Sequence, residues 1–462
     1  RHGQYDGTRF FDALRYHDGK YAPEMLYPTP IWAVLSEAGK RVAIIDAPYR
    51  YLSENLNGID IHDWGTHAPT GKNSFAHFKT NPPELAREIA ERFGLDPLKG
   101  AMCDKIRPRS LNEQRKFRDD MVDRARQRAL MSEYFIAMED WDFVLTVFSE
   151  CHCIGHHAWH IHDPSHPDHD PAIASELGDS TLDVYKAVDQ SVGEILERAG
   201  PNTTAVVYCS HGMGARYSGS KLLDKILVCL DGLEADVSSP LTRAMRTAWR
   251  SLPMGLRNSM KPTQAKLHKK IYHDGFQGNR AGRRFFEILT NDRTAGVRIN
   301  LVGREPNGKV APGKEYGAVC QELEEKLLRI VNADSGLPLV KEIHRTSDIY
   351  HGERRDQLPD LLVTWNQVDG SLERVFSPDI GEMRHENLSF RTGDHRPYGI
   401  FFAEGPSINR RGDIGSVTAM DFAPTFAGFF GITLPATDGK AIPIFAHANV
   451  DDVQIKPLPE QT

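Results

Sequence analysis

Segments of helical period alternate along this chain with short β-branched runs, and that alternation constrains the fold more than any other feature. Strand, helix and strand in succession call for a parallel sheet whose faces the crossover helices cover. Ile31 to Ala38 reads as a helix ended by Gly39, and Arg41 to Asp46 follows as a strand. Ser110 and Glu113 form a capping box that opens a long helix, with Phe117, Met121 and Ala125 on one stripe, ahead of a strand from Phe143 to Phe148. Tyr185, Val188, Val192, Ile195 and Leu196 give another helix face, and Thr204 to Tyr208 the next strand. Val297 to Leu301, Leu361 to Thr364 and Gly399 to Phe402 read as further strands, and Phe422 to Phe430 as a helix started by Asp421. The expected fold class is α/β, a mostly parallel central sheet sandwiched by helices.

A chain of 462 residues, 40% hydrophobic and 26% charged, can bury a full core in two to three domain-sized units or in one large α/β unit with insertions. No stretch approaches about 18 uninterrupted apolar residues, so no membrane span is expected. Cysteines 103, 151, 153, 209, 229 and 320 are too few and scattered for a disulfide framework, which points to a reducing, cytoplasmic setting. The chain opens Arg-His-Gly, and nothing in its first residues has the pattern of a targeting peptide. Charge is uneven. Residues 215–296 hold 15 Lys and Arg against 7 Asp and Glu, within a chain whose net charge is −7. This suggests a basic cap over an anionic substrate, inserted into a core made of 1–214 and 297–462; a solvated helix face gives the same run of charge.

Seven of the 20 histidines lie between His152 and His169. His152 and His156 follow an apolar strand, and clustered neutral imidazoles suit a borderline divalent metal such as zinc. Two more sites lie at strand ends: Ser210-His211-Gly212 after one strand, and Gly393-Asp394-His395-Arg396, on a loop, before another. In an open α/β sheet such ends converge on one crevice. The candidate ligands are therefore His152, His156, His211 and His395. The remaining histidines from His157 to His169, interleaved with Pro164 and Pro167, read as a polar surface loop. Arg304 and Arg396 lie near strand ends, and a guanidinium fork binds two phosphate oxygens at once; structural salt bridges use the same geometry.

These residues resemble the alkaline phosphatase superfamily, in particular its type I phosphodiesterase and nucleotide pyrophosphatase branch. The resemblance runs through Ile31-Trp32, Leu35 to Pro48, Asn57-Gly58, the His152/His156 segment, Tyr185 to Asp189, Ser210 to Gly214, Arg298 to Glu305, Pro359-Asp360-Leu361, Gly393 to Gly399, Asp421 to Thr425 and Asp438-Gly439. It implies a two-metal hydrolase on an alkaline-phosphatase-like core. One metal is held in that family by an Asp-x-x-x-His pair and a late His, which map onto His152, His156 and His395. The other uses an early Asp, a Thr or Ser nucleophile and an Asp-His pair, of which this chain keeps His211.

Two positions depart from the family pattern. His152 stands where the family has Asp, which moves preference toward nitrogen-favouring ions. Ser210 stands where the paired Asp is expected, and a neutral hydroxyl is a poorer ligand. The expectation is one or two divalent ions, zinc or else manganese, with Glu150 compensating as a ligand or orienting an imidazole from behind. His2-Gly3 matches a turn that follows the family's nucleophile, so an upstream strand, turn and helix of roughly 30 or more residues are expected and no catalytic nucleophile is assigned. The implied activity is metal-dependent hydrolysis of a phosphate ester, in particular a diester. Sulfatase or phosphotransferase chemistry, or a degenerate anion-binding protein without catalysis, are the alternatives. The expected partner is an anionic small-molecule ester, not a nucleic-acid polymer or a membrane. Its identity and the oligomeric state are left open.

Overall fold

The computed structural model describes residues 9–12, 17–20, 29–47, 53, 55–65, 78–98, 110–216, 222–233, 280–288, 290, 294–366, 374–384, 391–409, 412–434 and 437–445. His2-Gly3, Cys103 and 234–279, the larger part of the basic segment, lie outside them. The chain divides into two compact units, one of residues 26–214 with 390–462, the other of 1–25 with 215–389. The α/β class expected from the alternation is observed.

The first unit begins with helix α1 (Ile31–Glu37) and strands β1 (Val42–Ile45), β2 (Gly58–His62) and β3 (Lys79–Asn81). Helices α2 (Leu85–Phe93) and α3 (Leu111–Met138) lead to β4 (Phe143–Thr146). These strands form one sheet in the order β3-β2-β1-β4, parallel except for β3. Parallel strands need cover on both faces, and β1 has it, with Val42, Ala43, Ile44 and Ile45 all at 0% exposure. Ala43 and Ile45 pack with Ile89, Met131 and Phe135, while Ile44, on the opposite face, packs with Trp32. Each fully buried Ile side chain contributes about 1.5–3 kcal/mol.

Helix α3 starts as its capping box requires: the Ser110 hydroxyl accepts the Glu113 N–H at 3.3 Å, and the Glu113 carboxylate accepts the Ser110 N–H at 3.1 Å. Its buried stripe holds Phe117, Met121 and Ala125 as expected, and also two arginines, Arg124 and Arg128.

Beyond β4 come α4 (Glu150–His162), α5 (Pro171–Leu177) and α6 (Ser180–Ala199). The buried face of α6 is built on Val184 and Ser191, whereas Tyr185 is 42% exposed, so this face is turned from the one read in the sequence. Val184 joins Phe117, Met121, Cys153 and Ile154, so α6 meets α3 and α4. Two two-stranded ribbons follow, the first of them antiparallel. One pairs β5 (Ala205–Cys209) with β8 (Ile400–Glu404); the other joins β6 (Gly212–Ala215) to β7 (Gly393–Arg396). Strand β7 replaces the loop expected before Gly399. Gly-Asp-His-Arg has no β-branched residue, and its extended form comes from pairing, a tertiary effect. Helix α7 (Phe422–Phe429) stacks Phe422 on Tyr208 at 4.4 Å between ring centroids.

In the second unit the strands expected at 297 and 361 are present as Thr294–Ile299 and Leu361–Trp365, but they pair antiparallel with each other. Strands Phe285–Ile288 and Val340–Arg345 complete a four-stranded antiparallel sheet. Helices Leu223–Leu230 and Lys314–Leu328 supply Leu223, Ile226, Leu227, Leu323 and Leu327 to its core. Among the described residues, no helix is long and apolar enough to cross a membrane.

Candidate metal centre

His152 and His156 lie on α4, one turn apart, so a spacing of four places both imidazoles on one face of the helix. They belong to the first turns of a helix rather than to a strand end. His395 reaches them from β7, 239 residues after His156. The three Nε2 atoms form a triangle with sides of 2.9 Å (His152 to His395), 3.1 Å (His152 to His156) and 3.2 Å (His156 to His395). Among the described residues this is the group of three or more metal-ligating side chains that converges. His211, between β5 and β6, is the neighbour of this triangle: its ring centroid lies 4.3 Å from that of His395 and 5.6 Å from that of His152. All four candidate histidines are therefore brought together within one unit.

The triangle fits a tetrahedral ion. Zinc-to-nitrogen bonds of about 2.0–2.1 Å at tetrahedral angles separate the nitrogens by about 3.3 Å. The protons agree. His156 Nδ1 lies 2.8 Å from the Gly393 carbonyl, which can only accept, so the proton sits on Nδ1 and Nε2 carries a lone pair. Burial, reinforced by the Arg391 charge, holds the His156 imidazole well below its usual value and hence neutral. The sides of this triangle cannot all be satisfied by hydrogen bonds between neutral rings, whereas one cation satisfies all three lone pairs.

Close backbone contact makes the convergence possible. A Cβ on Gly393 would sit 2.1 Å from the Gly155 carbonyl oxygen, and one on Gly155 would meet Met213 at 2.9 Å. Gly393→Ala is therefore expected to push β7 away from α4, lowering stability by about 1–3 kcal/mol and weakening metal binding together. Urea unfolding and a zinc titration check this; an alanine variant unchanged in both would contradict it.

Glu150 does not point a carboxylate at an imidazole. It is fully buried at the first turn of α4, with Arg124 Nε at 2.7 Å and Arg128 Nη1 at 2.8 and 2.9 Å from its oxygens. Burial alone would raise this carboxyl, but Arg128 and Arg124 outweigh it and hold Glu150 below the usual carboxylate range. Arg128 also bonds Asp46 at 2.6 Å, and Asp46 accepts the Trp64 and Gly65 N–H groups at 2.9 Å each. The network fixes the start of the helix that carries His152 and His156. Its arginines escaped the sequence reading because charged residues on a helix read as solvent-facing; their four-residue spacing within an apolar stripe was the available signal.

Ser210 Oγ lies 3.0 Å from His211 Nδ1, which leaves Nε2 as the ring nitrogen to serve as a metal ligand. Arg396 lays its guanidinium over Gly214, where a Cβ would come within 2.5 Å of Nε. Arg304 belongs to the other unit, and its two terminal nitrogens bond Asp360 at 2.8 and 2.7 Å, with Glu305 at 3.0 Å from Nε. Cys153 is a buried hydrophobe, and burial pushes the Cys151 thiol well up, away from the thiolate a soft metal needs.

The model of the type I phosphodiesterase / nucleotide pyrophosphatase family matches residues 4–368. The chain belongs to that family. The match includes His152, His156 and His211 and ends before His395. Similar solved structures include human ectonucleotide pyrophosphatase / phosphodiesterase 5, at 12% identity and a TM-score of 0.42, covering 95% of this chain and 84% of the human one. The murine protein of the same name gives 12% identity and a TM-score of 0.41 over 93% and 79% of the two chains. An inactive variant of the murine protein in complex with AMP gives the same values. Comparison with curated proteins gives no match.

Proposed function

We propose that this phosphodiesterase-family chain is a metal-dependent hydrolase that cleaves a phosphate diester of an anionic small molecule, with His152, His156 and His395 holding one zinc ion. The observation that carries this reading is the Nε2 triangle with sides of 2.9–3.2 Å. An all-imidazole donor set brings no negative charge, which favours zinc over the oxygen-seeking magnesium and manganese. One ion fits better than two, since Ser210 offers a hydroxyl already bonded to His211.

A divalent cation held by these rings supplies Lewis-acid charge for the non-bridging oxygens of a phosphate. The residues contribute preorganisation. The Gly393 carbonyl fixes the His156 tautomer, the Glu150 network fixes the direction of α4, and burial of His156 keeps water and protons from competing for its nitrogen. His211, next to His395, is placed to meet a substrate oxygen or to complete the coordination shell.

The test is turnover of an aryl phosphodiester by zinc-loaded protein, with an aryl phosphomonoester and an aryl sulfate in parallel. Diester hydrolysis that disappears in His395→Ala together with bound zinc supports the proposal. Zinc binding without turnover of any ester would replace it with an anion-binding role, and faster turnover of the sulfate would move it to sulfatase chemistry.

A further inference from the structure

We propose that His160 and His166, which the sequence assigns to a surface loop, are positioning residues that hold the third imidazole of the cluster in place through Thr392. The inference deepens the metal reading above and rests on it.

His152 and His156 are fixed by one helix, but His395 arrives on a four-residue strand with a glycine at its start. Something must hold that strand to α4. Thr392, three residues before His395, is gripped at every polar group it has. Its N–H donates to the His156 carbonyl at 2.7 Å. Its carbonyl accepts from His166 Nε2 at 3.0 Å. Its hydroxyl meets His160 Nδ1 at 3.2 Å and accepts the His160 backbone N–H at 3.4 Å.

The histidine that closes the clasp has a fixed proton. His166 Nδ1 accepts the Asp168 N–H at 3.0 Å, so its proton lies on Nε2, facing the Thr392 carbonyl. His166 is 8% exposed, too buried for an ordinary solvated loop side chain. His169 Nδ1 adds a bond to the His160 carbonyl at 2.8 Å, which ties the end of the loop back to α4. The geometry has a clear purpose in a metal centre, where ligands must be held to about 0.5 Å. Partners behind the ligands are typically worth about 10–100-fold in metal affinity.

The test compares His166→Leu, which removes the donor, with His166→Gln, which keeps a donor and an acceptor. Three measurements are made on the full chain: zinc affinity by competition with a chromophoric chelator, the visible spectrum of the cobalt-substituted protein, and amide exchange at Thr392 without metal. His166→Leu is expected to bind zinc about tenfold more weakly, to change the cobalt spectrum and to exchange faster at Thr392, while His166→Gln stays close to the parent. Equal affinity and spectra in the Leu variant and the parent, or equal losses in Leu and Gln, would overturn the proposal. Should the Leu variant fail to fold, Thr392→Val removes only the hydroxyl contact and is expected to weaken zinc binding in the same direction; no change there would overturn it as well. Parent protein that binds no zinc defeats the metal reading, and the metal-free exchange at Thr392 then still decides whether the clasp exists.

Discussion

Arg128→Ala is expected to lower the free energy of unfolding by about 3–5 kcal/mol, the range for removing one partner of a buried ion pair. Arg128 is fully buried and bridges two carboxylates, with Nη2 at 2.6 Å from Asp46 and Nη1 at 2.8 Å from Glu150. Its loss leaves Asp46 without its cation and Glu150 with Arg124 alone. Against a total stability of about 5–15 kcal/mol, that fraction is large. Urea unfolding at neutral pH measures it, and a loss within 1 kcal/mol, the surface-pair range, would show that the network is not a unit.

The same network sets a pH dependence. Because the Glu150 carboxyl is held below its ordinary value of 4.5 in the folded protein, its contribution is complete above that value and is lost as pH falls below it. Glu150→Gln is expected to flatten this acid limb. An acid limb unchanged in the Gln variant would place the effect elsewhere.

His156→Ala carries the second large effect, a loss of roughly a hundredfold in zinc affinity. A four-ligand zinc site is worth about 10–16 kcal/mol in apparent binding, so one ligand carries on the order of 3 kcal/mol, and each 1.4 kcal/mol is about tenfold. His157 is the control. It is the next residue of α4, equally a histidine and buried, but it packs edge-on against Phe117 at 5.3 Å between centroids. His157→Ala is therefore expected to lower stability and leave zinc affinity nearly unchanged. Equal losses of zinc affinity in the two variants would mean that helix α4, not the Nε2 triangle, is what the metal senses.

Much of this was readable in the sequence because it is local. Alternating periods gave the α/β class, and the box at Ser110 and Glu113 marked the start of α3 to the residue. The four-residue spacing of His152 and His156 is a helical signal, although the apolar run before it drew the reading toward a strand end. What could not be read is non-local. Strand β7 exists because β6 pairs with it and because Gly393 lets it lie against the Gly155 carbonyl of α4, neither of which leaves a periodic trace. Arg124 and Arg128 are charged residues in core positions, stable only because Asp46, Asp96 and Glu150 come from elsewhere in the chain. Loop histidines such as His166 read as solvent-exposed until the fold supplies a carbonyl for them. In the second unit two strands were legible, those at Thr294–Ile299 and Leu361–Trp365, while Phe285–Ile288 and Val340–Arg345 were not. The direction of pairing was not legible either, since it depends on connections between elements rather than on the strands themselves.

The zinc content of the purified protein tests the central claim most directly. Metal analysis after dialysis against trace zinc should give one ion per chain for the parent protein and none for the variant carrying His152→Ala, His156→Ala and His395→Ala together. Zinc retained at the parental level by the triple variant, or absent from a folded parent, would contradict it.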